Sequence, residues 1–212
     1  MKNFSALVCG YGVPKDILED KNYHTYLTQI FNFLFDKFSE TSGTIVLSGG
    51  PTDCFPPYRR TEAREMKKWF DQKITEVKKE TKQKISWKFI LDNKALSTVE
   101  NLLYFKPLAN GEIFIFAEIT RKTRIKKISE KIFDKKAELV FVDFDASFAR
   151  YHKEAIKKRE AQAIADNLPA INSKQKLLEV RQAVKKKLDL MRKNGTEKGL
   201  KTWMGIETKK KG

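Results

Sequence analysis

Cysteine and histidine are scarce, with two of each among 212 residues. Cys9 and Cys54 form no CxxC pair and have no histidine beside them, so the chain encodes neither a zinc set nor a disulfide framework. His24 and His152 are too few for a histidine-based metal site. No apolar run approaches the ~18 residues of a membrane span. The opening MKNFSALVCGYG is too short, and too soon broken by glycine, for a signal peptide. These absences lead to the expectation of a soluble, cytoplasmic protein kept in a reducing setting.

Negative charge is also in short supply, with 27 Asp and Glu against 43 Lys and Arg and a net charge of +16. The imbalance is uneven. After residue 145 there are 18 basic and 7 acidic residues, a net of +11, against +5 before it. A basic segment suits a polyanion such as RNA or an anionic membrane. It also suits a solvated helical face, which is the plainer explanation, because the aromatic–basic interleaving that stacks bases is missing there. A third use is packing on the rest of the chain, or pairing two subunits into a homo-oligomer.

What is present is apolar patterning. Apolar residues make up 41% of the chain and include 15 Phe, enough for one substantial core with an appendage. Short buried runs read as strands at Phe4–Cys9, Thr44–Ser48, Ile85–Leu91, Glu112–Ala117 and Glu138–Phe144. Between them lie helical periodicities over residues 22–38 with Asn22 as N-cap, from Thr61 to the lysine-rich stretch at 78–84, over 98–105, and over 123–133. Strands alternating with helices predict an α/β fold, a three-layer, Rossmann-like, mainly parallel sheet of about five strands, over residues 1–145. Residues 146–212 read as a basic helical extension. One helix spans 146–166, broken at Asn167-Leu168-Pro169, and another runs from a Ser173 cap to Asn194, with Gly195 as its stop. The glycine-punctuated tail after it reads as mobile, with Trp203 and Met204 available to dock.

Right-handed crossovers place every strand-end loop on one edge of such a sheet, where ligands bind. The most suggestive stretch is Thr44–Glu65. There a strand stops at Ser48-Gly49-Gly50-Pro51, and a proline-rich loop leads to a helix starting near Thr61. Glycines let backbone N–H groups approach an anion, and a helix N-terminus favours its charge. Gly10-x-Gly12 opens like a dinucleotide fingerprint, but Lys15 stands where a third glycine belongs. Lys15, Arg59, Arg60 and Arg121 are further sources of positive charge. Ser97 and Glu100 fit a capping box, which accounts for both but leaves Asn101 unexplained. The functional alternative gathers Glu62, Asp92, Glu100 and Glu118 on one edge, where repulsion keeps one carboxyl protonated for acid–base work. Cys54 is a weaker nucleophile candidate, since no histidine accompanies it.

Taken in order, these motifs resemble the YdcF/SanA/ElyC-like family. The shared series is Gly10, then Ser48-Gly49-Gly50, then Thr61-Glu62-Ala63, then the run from Asp92 to Ser97-Thr98-Val99-Glu100-Asn101, and finally Arg121-Lys122-Thr123-Arg124. It covers roughly residues 4–145. Asp92 stands for the family glutamate, Ala95 for a serine and Arg121 for a histidine. The resemblance implies a Rossmann-like sheet with a pocket lined by Gly49, Gly50, Glu62, Thr98, Glu100 and Asn101. It also implies a nucleotide-like or phosphorylated ligand, S-adenosylmethionine among the candidates, and a link to cell-envelope metabolism, with transferase or hydrolase chemistry unassigned. Glu62 and Glu100 are the candidate catalytic pair. Gly10, Ser48, Gly49, Gly50, Asp92, Thr98, Asn101, Arg121 and Arg124 complete the candidate ligand-binding set.

Overall fold

The computed structural model describes residues 3–133, 136–144 and 153–205. Five strands form one sheet: β1 (Phe4–Cys9), β2 (Gly43–Ser48), β3 (Trp87–Asp92), β4 (Glu112–Glu118) and β5 (Glu138–Val142). Every pairing is parallel and the order is β3-β2-β1-β4-β5. Helices α1 (Lys21–Phe38) and α2 (Glu62–Thr81) cover one face, and α3 (Thr98–Phe105) and α4 (Lys122–Ile132) the other. The chain switches direction across the sheet between β1 and β4, which opens a crevice at their carboxyl ends.

Period-two alternation explains the two cores. In β1, Phe4, Ala6 and Val8 point to the α1/α2 side, while Leu7 and Cys9 point to the α3/α4 side. The first core is rich in aromatics, with Phe31, Phe70, Phe114 and Phe116 all buried. Each such side chain contributes about 1.5–3 kcal/mol. Trp87 anchors the β3 edge by donating its Nε1–H to the Phe38 carbonyl at 3.0 Å.

Several boundaries differ from the sequence reading, each for a local reason. The α1 N-cap is Asp20, not Asn22, because the Asp20 carboxylate accepts from the Tyr23 amide at 2.8 Å. β3 begins at Trp87, not Ile85, since its first partner is Gly43 at the start of β2. β5 stops at Val142, paired with Glu118, and Phe144 instead packs on Tyr11 and Tyr26.

The C-terminal segment forms α5 (Lys153–Ala170), α6 (Lys174–Asn194) and α7 (Thr196–Met204). The expected helix start at Ala146 lies outside the described residues. Asn167-Leu168-Pro169 does not break α5. Pro169 sits one residue from its end, where a missing N–H removes only one helical bond. Residues 196–204 are helical rather than a loose tail. Gly199 lets α7 lie directly on α6, for a Cβ there would overlap Leu190 and Met191. Ala170 of α5 and Val180 of α6 join the α3/α4 core, so these helices pack on the sheet body. Among the described residues, no helix is long and apolar enough to cross a membrane.

Candidate functional site

The β1 and β2 ends are held by backbone bonds. The Gly10 amide donates to Ser48 at 2.9 Å, Gly49 to Asp92 at 3.0 Å and Gly50 to Ala95 at 2.6 Å. The carbonyls of Gly50 and Gly49 accept from the Glu62 and Ala63 amides at the start of α2. The amides expected to cradle an anion are therefore engaged within the fold, and so is the first turn of α2. The glycines serve a different neighbour. A Cβ at Gly10 or Gly49 would overlap the Glu62 side chain, so their lack of one makes room for that carboxyl.

Glu62 is 6% exposed and accepts a hydrogen bond from Thr52 Oγ1 at 2.5 Å. Burial raises its pKa above the ordinary value, and Thr52, Arg121, Lys187 and the Gly12 amide only partly offset this. The proline-rich loop that brings Thr52 is braced by Asp53, a residue the sequence reading missed. Asp53 is fully buried, receives Arg60 Nε at 3.1 Å and Nη2 at 3.0 Å, and also accepts from the Phe55 amide. Arg60 Nη1 reaches the carbonyls of Pro14 and Lys15. Arg60 is thus a clamp between two loops rather than a charge for a ligand, and Lys15 and Arg59 are exposed.

The β3–α3 loop is likewise organised from within. Asp92 accepts from Ser48 Oγ at 2.7 Å and from the Lys94 and Ala95 amides, folding the loop on itself. Ser97 Oγ accepts from the Glu100 amide at 3.4 Å, as in a capping box, but the Glu100 Oε2 return bond comes from the Leu96 amide, one residue before the cap, and from Ser97 Oγ, while Glu100 Oε1 pairs with Arg181 of α6 at 2.5 Å. The Val99 amide donates to Asn167 of α5 at 3.3 Å. Asn101 turns toward β1, where it hydrogen-bonds the buried Cys9 thiol, whose pKa burial pushes up to about 11.

The end of β4 supplies the charges. Glu118 accepts from the Thr120 amide at 3.0 Å, and Arg121 Nη1 donates to the Gly10 carbonyl at 2.7 Å. Arg124 pairs with Glu160 of α5 at 3.0 Å. Burial, only partly countered by Glu160, lowers the Arg124 pKa to about 10. Burial also raises that of Glu160. Arg124 Nε and Glu160 Oε2 are buried without hydrogen-bond partners.

Helices α5–α7 roof this edge and leave a cavity of about 450 Å³. That volume suits a small molecule. Of the sequence candidates, Gly10, Glu62, Thr98, Asn101, Arg121 and Arg124 line it. Ser48, Gly49, Gly50, Asp92 and Glu100 do not; they shape the loops behind it. Cys54 contacts the Thr52 carbonyl at 3.6 Å and is also off the wall. The sequence reading missed Thr52, Glu160, Arg159 and Lys187. Lys187 was the most legible of these, since it borders the apolar stripe Val180, Val184, Leu188, Met191 of α6. Desolvation lowers its pKa to about 8, with Arg121 and Arg124 adding repulsion and Glu62 opposing them. Arg159 lies over the Trp203 ring at 5.2 Å, on the apolar side of the cavity.

Among the described residues, no group of three or more His, Cys, Asp and Glu side chains is placed to hold a metal ion. Fold and site together define a doubly wound α/β protein whose own C-terminal helices close the cavity at its switch point. Comparison of the chain with protein-family models, curated protein sequences and solved structures finds no match.

Proposed function

We propose that this protein binds a phosphorylated or nucleotide-like small molecule in the cavity between the strand ends and α5–α7, and acts on it as a transferase or hydrolase. The observation that carries the reading is a set of cationic donors at the cavity wall that the fold leaves unfilled. Arg124 Nε is buried without a partner, and Lys187 has neither a hydrogen bond nor an ion pair among the described residues. Arg121 adds a third cation whose described hydrogen bond goes only to the Gly10 carbonyl. An anionic group entering this pocket supplies acceptors for the unfilled donors and offsets the positive charge there.

Side chains of α4 and α6, not the glycine-loop amides, hold the anion in this reading. Glu62 is the acid–base group, because its raised pKa keeps a proton available closer to neutrality. Thr52, Thr98 and Asn101 offer hydroxyl and amide contacts to the ligand body. The apolar wall around Leu188, Met191 and Trp203 accommodates a base or other flat group, which keeps nucleotides and S-adenosylmethionine among the candidates. The test is a thermal-shift panel of nucleotides, S-adenosylmethionine and sugar phosphates. A stabilising hit is expected to be lost in Arg121→Gln/Lys187→Met. A hit retained by that variant refutes the site.

A second reading rests on the outer face of α6, where Lys185, Lys186 and Lys193 are exposed. It makes this face a surface for RNA or an anionic membrane. RNA affinity that falls steeply with salt and drops in the triple glutamate variant supports it. Affinity unchanged in that variant removes it.

A further inference from the structure

Lys187 is placed unlike a lysine that serves only as a charge. Its side chain is partly buried at the cavity wall, where its neighbours Lys185 and Lys186 are exposed. Lys187 enters the cavity beside the apolar stripe of α6, between Val184 and Met191, yet makes no ion pair among the described residues. Arg121 and Arg124 of the β4–α4 segment, Glu62 of α2 and, from behind the wall, Cys54 of the proline-rich loop act on it electrostatically, and Glu118 of β4 with Arg159 and Glu160 of α5 share its cavity wall. Arg121 and Arg124 already supply positive charge for an anionic ligand.

Resting on the binding reading above, we propose that Lys187 is a catalytic amine that forms an imine with a phosphorylated aldehyde or ketone held in the cavity. The ε-nitrogen lone pair attacks the carbonyl carbon, and the C=O π pair moves to oxygen. That oxygen takes a proton, and the nitrogen loses one, giving a carbinolamine. Protonated Glu62 then delivers a proton to the hydroxyl, the nitrogen lone pair forms the C=N bond as water leaves, and the nitrogen passes its remaining proton back to the Glu62 carboxylate. The net change is amine plus carbonyl giving imine plus water, with no oxidant or reductant. Arg121 and Arg124 hold the phosphate while this occurs.

The electrostatics agree with the placement. A lysine brought from 10.5 to about 8 has on the order of 10²-fold more neutral amine at pH 7. A neighbouring cation and an apolar site are established means of activating a lysine nucleophile.

The experiment uses pyridoxal 5′-phosphate as a phosphorylated aldehyde probe on the full chain, followed by borohydride reduction and peptide mapping. The expected result is preferential labelling of Lys187 over exposed Lys185 and Lys186, rising with pH around 8 and protected by inorganic phosphate. Lys187→Met loses the label. Labelling of Lys187 no faster than of Lys185, with the thermal shift intact, overturns the imine and leaves the binding reading standing. Absence of labelling, protection and thermal shift together overturns both.

Discussion

The Glu62 carboxyl lies against Gly10 and Gly49, in the space that a Cβ on either residue would fill. The glycines after β1 and β2 are thus matched to a buried acid on α2 that lines the cavity. Gly49→Ala is predicted to displace Glu62 and to cost about 1–3 kcal/mol, the usual range for overpacking a filled site. Urea denaturation checks this. A variant as stable as the parent contradicts the packing described.

Glu62 also gives a pH signature. Its folded pKa is raised above the ordinary 4.5. A raised carboxyl favours the folded state fully below the unfolded pKa, and that contribution is lost as pH rises through the folded value. Glu62→Gln does not ionise. The stability of Glu62→Gln relative to the parent is therefore predicted to rise with pH from about 4.5 upward and then level off. Comparing the two proteins cancels the similar contribution of Glu160. A flat difference between pH 4 and pH 8 contradicts the shift.

Asp53 has the opposite sign. Burial alone raises its pKa, but the Arg60 hydrogen bonds and the Phe55 and Arg60 amides outweigh this and hold it below the ordinary 3.8. Its contribution is present above the unfolded pKa and is lost as pH falls through the folded one. Asp53→Ala is predicted to cost about 2 kcal/mol at pH 7, less than a fully buried pair because Arg60 remains partly in water. The loss shrinks below pH 4. Proteolysis of the loop between Pro51 and Arg60 provides a second readout, with faster cleavage expected in the variant.

Arg181 joins α6 to the start of α3 through Glu100 and the Lys94 carbonyl. Arg181→Ala is predicted to cost about 1–2 kcal/mol, discounted for partial exposure, and to leave Glu100 on the Leu96 amide and Ser97 Oγ. Hydrogen exchange is expected to quicken in α6 and α7 while α1 and α2 are unaffected. Uniform exchange across the chain contradicts the view that α6 and α7 are held to the body in this way.

The alternating apolar runs made five strands and their helices readable, because burial on both faces imposes a pattern that little else produces. Phe4–Cys9 and Thr98–Phe105 coincide with the structure. Boundaries set by a partner strand, as at Trp87 and Val142, were not legible, since register depends on residues far away in sequence. The same limit applied to the site. Glu62, Asn101, Arg121 and Arg124 follow directly from strand-end position. The glycine amides looked free in sequence because their acceptors, such as the Ala95 carbonyl 45 residues from Gly50, come from another loop. Glu160 was hidden in a helix with no clear apolar face, whereas Lys187 borders the unbroken apolar stripe Val180, Val184, Leu188 and Met191, and that position was visible.

The most direct measurement is a calorimetric titration of inorganic phosphate and of nucleoside 5′-phosphates into the parent protein and Arg121→Gln/Arg124→Gln. Saturable binding to the parent, weakened at least tenfold in the double variant (about 1.4 kcal/mol), is the predicted result. Binding of equal strength to both proteins, or to neither, would contradict the assignment of the cavity to an anionic ligand.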